Sequence, residues 1–274
     1  MKILFLLIIM CPLTAISEVF TTSIEKFDKG VKKGEPNLVY LSDGRIGILP
    51  KHLSIESLGR GLVGVGSTVK IKMDRSHKII SIDPSSDNTE VSSIESSKEM
   101  MSYEPTILPD LETVNTMFRR MNRRWQRNSQ CYNRAHVWSW EEFKRTGLLS
   151  KKVFIFYTRR YIRNYNFYWW FHAIPTVLAN DNGAIVERAL DPMFARSPIP
   201  MKTWSDIFIR SKRECPVITK YSQYANNQEA EDCYLHFSSM YFWQPRDLDK
   251  LERTGFEKTS FVKSDVDYAY WEAF

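Results

Sequence analysis

The feature that most constrains the fold is a stretch that cannot take part in a core. Residues 84–110, "PSSDNTEVSSIESSKEMMSYEPTILPD", are rich in Ser, Glu and Pro and carry little apolar periodicity. Such a segment buries too little apolar surface to offset the entropy of ordering it, so it stays exposed and open to proteases. The chain must therefore fold on either side of it. We read a flexible linker over 84–109, a small unit at 18–83 before it and a larger domain at 110–274 after it. The 274 residues, 43% hydrophobic and 26% charged, suffice for one large domain or two modest ones. No long internal repeat is visible.

The first residues read as an address. "MKILFLLIIMCPLTAIS" has a lysine, an apolar run, then Ala15-Ile16-Ser17, the small-x-small pattern of a cleaved signal peptide over 1–17. The run from Ile3 to Leu13 is too short to span a bilayer, which takes ~20 residues. Met10 stands before Cys11 where a lipid-anchored protein needs a small residue. The expected location is secreted or periplasmic. Beyond the signal, residues 18–36 read as too hydrophilic to bury. Residues 37–83 read as short strands: "NLVYLSDGRIGILP" has two strands around an Asp43-Gly44 turn, and "STVKIKMDRSHKIISIDP" alternates Val69, Ile71, Met73 and then Ile80, Ile82. Gly59, Gly61 and Gly64 fall at the dinucleotide-fingerprint spacing, but that fingerprint needs a helix after it, and here a strand follows. They serve tight turns.

Export changes the arithmetic of four cysteines. Removing Cys11 with the signal leaves Cys131, Cys215 and Cys233, an odd number in an oxidising compartment. Cys215 and Cys233 flank one polar loop, and a disulfide closing it stabilises by ~3 kcal/mol in the chain-entropy model. Cys131 is then the free thiol.

In the larger domain, "LETVNTMFRRMNRRWQRN" reads as helix leading to Cys131 and "AHVWSWEEFKRTGLL" as helix beyond it. Strands follow in "KVFIFYTRRYI", "FYWWFHAIPTVLA" and "AIVERALDP", then helices in "TWSDIFIRSK" and "PRDLDKLERTGF". Helices followed by hairpin-linked strands predict an α+β domain on an antiparallel sheet. The net charge of +6 is clustered: Arg119, Arg120, Arg123, Arg124 and Arg127 fall at helical spacing on one side. That is either a solvated helix face or a dock for an acidic protein or anionic membrane surface. Export and the absence of a recognised motif exclude nucleic acid as the partner. A monomer is expected.

Cys131 lies in "NSQCYNRAHVWSW", a polar and aromatic setting rather than an aliphatic one. At the first turn of a helix a thiolate meets unpaired N–H groups and a favourable dipole, and the same donors can hold an oxyanion. A thiolate nucleophile needs a base. His52 and His77 lie on turn-like sequence, His236 has no evident partner, and His136, five residues from Cys131, is turned away on a helix and reads as structural. His172 remains, in the apolar strand "YWWFHAIP". The next strand ends in "ERALDP", and counting outward from a turn at 180–183 sets Asp191 close to opposite His172. A carboxylate there fixes the imidazole's tautomer and stabilises its charged form. Cys131, His172 and Asp191 make a thiol acyl-transfer triad that needs no metal or cofactor.

"CYNRAH", then "HAIP" 41 residues on, then "LDP" 19 further, resembles the bacterial protein-glutaminases, the protein-glutamine deamidases. The resemblance covers about residues 110–200. It implies a transglutaminase-like or papain-like catalytic domain and an exported enzyme that turns protein glutamine into glutamate and ammonia. It also implies a pro-region that occupies the cleft until proteolysis, the place residues 18–105 would fill. Its partners would be proteins with exposed glutamines. Transglutamination with an amine, a cysteine peptidase or cell-wall amidase, and a binding module using the aromatics near 168–171 are the alternatives.

Overall fold

The computed structural model describes residues 17–30, 35–50, 63–85 and 103–274. The signal-peptide reading for 1–17 therefore falls, but for Ser17, outside the described residues, as do Gly59, Gly61, His52 and most of the linker. Contacts divide the chain into two units, one of 1–41 with 46–89, the other of 42–45 with 90–274.

The first unit is a five-stranded antiparallel sheet in the order β3-β2-β1-β4-β5, formed by Glu18–Asp28, Asn37–Leu41, Ile46–Leu49, Thr68–Met73 and Ile79–Pro84 as β1 to β5. The hairpins expected from sequence are present. Residues 18–36 differ from expectation: β1 is the central strand. "EVFTTSIEKFD" is polar on average, yet Val19, Thr21, Thr22 and Ile24 are β-branched, and Thr22 and Ile24 are buried. Mean polarity concealed a strand with one buried face. Ile24, Val39, Leu41, Val69, Ile71, Met73 and Ile79 form its core.

The second unit is α+β. Its sheet runs β10-β9-β8-β7-β12-β11, with β6 paired beside β8. The strands are Ile107–Leu108 (β6), Lys151–Tyr157 (β7), Phe171–Asp181 (β8), Ala184–Ala189 (β9), Ile199–Pro200 (β10), Val217–Ile218 (β11) and Cys233–Ser239 (β12). The linker ends earlier than its composition suggested. Ile107 and Leu108 pair with Leu178 and Ala179, Thr106 N–H donates to Leu149 O at 2.9 Å, and the Tyr103 hydroxyl donates to Ser150 O. The segment joins the sheet because β7 stops at Thr176 of β8 and leaves the rest of that edge open.

The helices are Leu111–Arg120 (α1), Cys131–Thr146 (α2), Arg159–Tyr165 (α3), Met201–Phe208 (α4), Tyr221–Asn226 (α5), Pro245–Thr254 (α6) and Lys263–Ala273 (α7). Asp110 starts α1 by accepting the Thr113 N–H at 2.7 Å. The helix read through to Asn128 stops at Arg120. Asn122 draws the chain away: its carbonyl accepts the Trp138 indole N–H at 2.8 Å and its side chain the Arg124 N–H at 3.0 Å. The five arginines consequently share no helix face; Arg119 pairs with Glu112, Arg120 with Glu142, and Arg123 lies over Phe118. "RRYI", read as strand, is α3, started by Thr158, whose side chain accepts the Tyr161 N–H. Val114, Met117, Phe118, Trp138, Val177, Ala179 and Leu190 pack between α1, α2 and the sheet, each large side chain contributing roughly 1.5–3 kcal/mol by burial.

Candidate active site

The nucleophile candidate is placed by where α2 begins. Gln130 is extended (φ −81°, ψ 140°) and caps no amide with its side chain, so Cys131 is the first helical residue. The first-turn N–H groups of a helix have no partner within it. This terminus is pinned from outside by α7. Glu272 accepts the Gln130 backbone N–H at 2.9 and 3.1 Å and the Asn133 amide at 2.8 Å, while the Trp243 indole donates to Asn133 Oδ1 at 2.8 Å. Burial raises the Glu272 carboxyl's pKa, against the hydrogen bonds from Asn133 and Gln130. Arg134 closes the turn. Its guanidinium donates to Ser129 O and to Ser129 Oγ at 2.8 Å, and it is buried near Cys131, Asp191 and Glu272. Its pKa is lowered by burial, with these neighbours opposing the change.

His172 is the second residue of β8, opposite Ile155 of β7. Its Nε2 lies 2.9 Å from Asp191 Oδ2, and Cys131 is near enough to act on the ring. Burial alone pulls the imidazole pKa down; the Asp191 charge and hydrogen bond, with Cys131, outweigh it and raise the pKa to about 9. The structure thus brings together the three residues singled out from sequence.

The route by which Asp191 arrives differs from the one expected. The β8–β9 turn is Asn182-Gly183, both left-handed (φ 54° and 92°), the turn that suits a two-residue hairpin. It pairs Thr176 with Ala189, so Asp191 lies beyond the end of β9 and two positions out of register with His172. The loop returns it. Asp191 O accepts the Phe194 and Ala195 N–H groups, and Oδ1 accepts the Met193 N–H at 3.3 Å. Trp204 of α4 donates its indole N–H to Oδ2 at 2.9 Å. Burial raises the Asp191 pKa, but the His172 charge, these hydrogen bonds and Arg134 lower it overall. The carboxylate is therefore ionised and held in place. Trp204, Phe194 and Phe208 wall the imidazole at ring distances of 5.8, 5.5 and 5.1 Å.

Cys131 is buried and free; Cys215 and Cys233 form a disulfide. His136 accepts no role here, since its ring meets Lys152. His236 is buried in β12, and His77 lies in the β4–β5 turn of the other unit. Trp204 and Glu272 went unread in the sequence: a tryptophan in an amphipathic helix looks like packing, and nothing local ties residue 272 to residue 130.

Ser42–Arg45, the turn between β2 and β3, belongs to this second unit. The Trp170 N–H donates to Gly44 O at 2.9 Å, Arg45 bridges Trp169, and a Cβ on Gly44 would stand 3.1 Å from Trp169 and 3.2 Å from Phe171 O. Asp43 and Arg45 form a buried ion pair at 2.5 Å, and the Asp43 charge adds to the burial that raises the Tyr132 pKa.

A glutaminase family model matches residues 111–208, the segment from α1 to α4. No curated protein matches the chain. Among solved structures, the chain is similar to a mutant of pro-protein-glutaminase (13% identity, TM-score 0.49, covering 82% of this chain and 83% of that one) and to pro-protein-glutaminase (14%, TM-score 0.44, 83% and 84%). It is also similar to the protein-glutaminase from Chryseobacterium proteolyticum (13%, TM-score 0.38, 60% and 85%).

Proposed function

We propose that the chain is an exported protein-glutamine deamidase working through a thioester on Cys131, a reading supported by the match of a glutaminase family model to residues 111–208. The observation that carries the mechanism is a buried His172 that hydrogen-bonds Asp191 at 2.9 Å and lies close enough to Cys131 to be affected by it, with a pKa raised to about 9. At neutral pH that imidazole is protonated, the form that pairs with a thiolate. The thiolate attacks the carboxamide carbon of a glutamine side chain, and the first-turn N–H groups of α2 receive the oxyanion. As the C–N bond breaks, His172 gives its proton to the leaving nitrogen, which departs as ammonia. Neutral His172 then takes a proton from water, the hydroxide adds to the thioester, and the C–S bond breaks to give glutamate and return the thiolate. Asp191, fixed by Trp204 and Met193, keeps the ring oriented through both halves. The disulfide fits an oxidising compartment, and no helix among the described residues is long and apolar enough to cross a membrane.

The test is ammonia release from a carboxamide-blocked glutaminyl peptide, with and without a primary amine. Ammonia with glutamate formation supports deamidation. Ammonia with amine incorporation instead of glutamate means transglutamination, and no ammonia in either case rejects both.

A latent form accompanies this reading. Residues 18–83 form a β unit of their own, joined to the second unit through a Ser-, Glu- and Pro-rich stretch. A tethered segment has an effective concentration in the millimolar range, so weak affinity suffices to mask the site. Cleavage between Pro84 and Pro109 is expected to raise turnover on a small glutaminyl peptide; equal rates before and after cleavage would reject the pro-region.

A further inference from the structure

Gln130 precedes the nucleophile, and its side-chain oxygen is left without a partner among the described residues. Its backbone is fully engaged: the N–H goes to the Glu272 carboxylate and the C=O accepts the Arg134 N–H at 3.1 Å. The side chain makes no capping bond. Its Oε1 is buried and, among the described residues, has no hydrogen-bond partner. Folded proteins seldom carry such an acceptor without use. Here it is rooted one residue from Cys131, at a helix terminus pinned by α7. A cavity of about 320 Å³ lined by Gln126, Asn128, Ser129, Trp271 and Glu272 opens beside the same terminus.

We propose that Gln130 Oε1 accepts an N–H from the carboxamide being hydrolysed, making Gln130 a residue that favours an amide over an ester of the same acyl group. This rests on the deamidase reading. A primary carboxamide presents one acceptor and two donors. The α2 N–H groups suit its oxygen, and a buried acceptor beside them suits its NH₂. An ester of the same acyl group has no N–H to offer and leaves Oε1 unpaired. A site built around such a hydrogen bond discriminates strongly, because the mismatched ligand leaves a buried group unpaired.

The test compares wild type, Gln130→Leu and Gln130→Met on a blocked glutaminyl peptide and on the corresponding glutamate γ-methyl ester. The ester forms the same acyl-enzyme but has no N–H to offer. The full chain is used, untreated and after limited proteolysis. In both variants kcat/KM on the amide is expected to fall by roughly tenfold or more, the size of one hydrogen bond to substrate, while the ester rate stays within about threefold. The amide-to-ester ratio is internal to each variant, so a partly unfolded sample does not mimic the result. Equal losses on both substrates would mark Gln130 as structural or as an oxyanion donor, and no loss on the amide would mark it as idle; either overturns the inference alone. A wild type that hydrolyses neither substrate overturns the deamidase reading and this inference with it.

Discussion

The second unit buries His172 and His136 beside ionisable partners and shifts their pKa values in opposite directions. His172 meets the Asp191 carboxylate at 2.9 Å and its pKa rises to about 9. His136 meets the Lys152 amine at 2.6 Å, and burial followed by the Lys152 charge pushes its pKa well below 6.5. Lys152 is itself fully buried and held well below its ordinary value, chiefly by burial and then by Lys258, with its Nζ 2.6 Å from Phe242 O as well. Burial is common to both rings, so burial does not decide which of them can do chemistry. The sign of the neighbouring charge does. His136 is closer to Cys131 in sequence, yet a neutral ring locked against an amine has no proton to give a leaving group. His172 is 41 residues away and poised to give one.

The largest effect should come from breaking the reactive side of this contrast. Cys131→Ala or Cys131→Ser is expected to abolish ammonia release with the fold retained by circular dichroism, and His172→Ala to lower kcat roughly 10³-fold. Activity surviving in Cys131→Ala would mean the two histidines differ for some other reason.

Asp191→Asn sharpens the comparison by removing the charge and keeping the shape. A loss of roughly 10²-fold is expected, with a second signature in pH. The Asp191 charge holds the His172 pKa up, so the alkaline limb of kcat/KM, near pH 9 in the wild type, should move to lower pH in the variant. An unmoved limb would assign it to another group.

On the unreactive side, His136→Phe and Lys152→Met should each cost about 2–4 kcal/mol in denaturant unfolding, because each strands a buried partner. The double variant should cost less than the sum of the two. Turnover per folded molecule should stay within about threefold in all three. A selective loss of activity there would give His136 a catalytic part.

The smallest effect is expected where the same charges stand in water. Arg119 and Glu112 pair at 2.7 Å on the exposed face of α1, and replacing both with alanine should leave Tm unchanged within error, since solvent screens such pairs.

The same contrast separates what the sequence could tell from what it could not. Cys131, Cys215 and Cys233 were legible because parity and loop length are sequence properties, and the disulfide is where that arithmetic put it. His172 and Asp191 were legible because a hairpin brings its arms together, although the turn was centred one residue too early and Asp191 reaches the ring from a loop rather than a strand. α2 was legible over most of its length, although it was read from Ala135 to Leu149 and runs from Cys131 to Thr146. β1 was not, because its polar average hid three buried positions, and the end of α1 was not, because the pull on Asn122 comes from Trp138 sixteen residues away. The Glu272–Gln130 and Lys152–His136 contacts join residues with no common local pattern.

The central claim is that Cys131 carries the acyl group. Acid quench of the full chain during turnover of a glutaminyl peptide, followed by proteolysis and mass mapping, tests it directly. The Cys131 peptide should appear heavier by the substrate peptide less ammonia, in a thioester that hydroxylamine releases, and that adduct should be absent when His172 is alanine. Sustained ammonia release with Cys131 unmodified, or with the adduct on another residue, would contradict it.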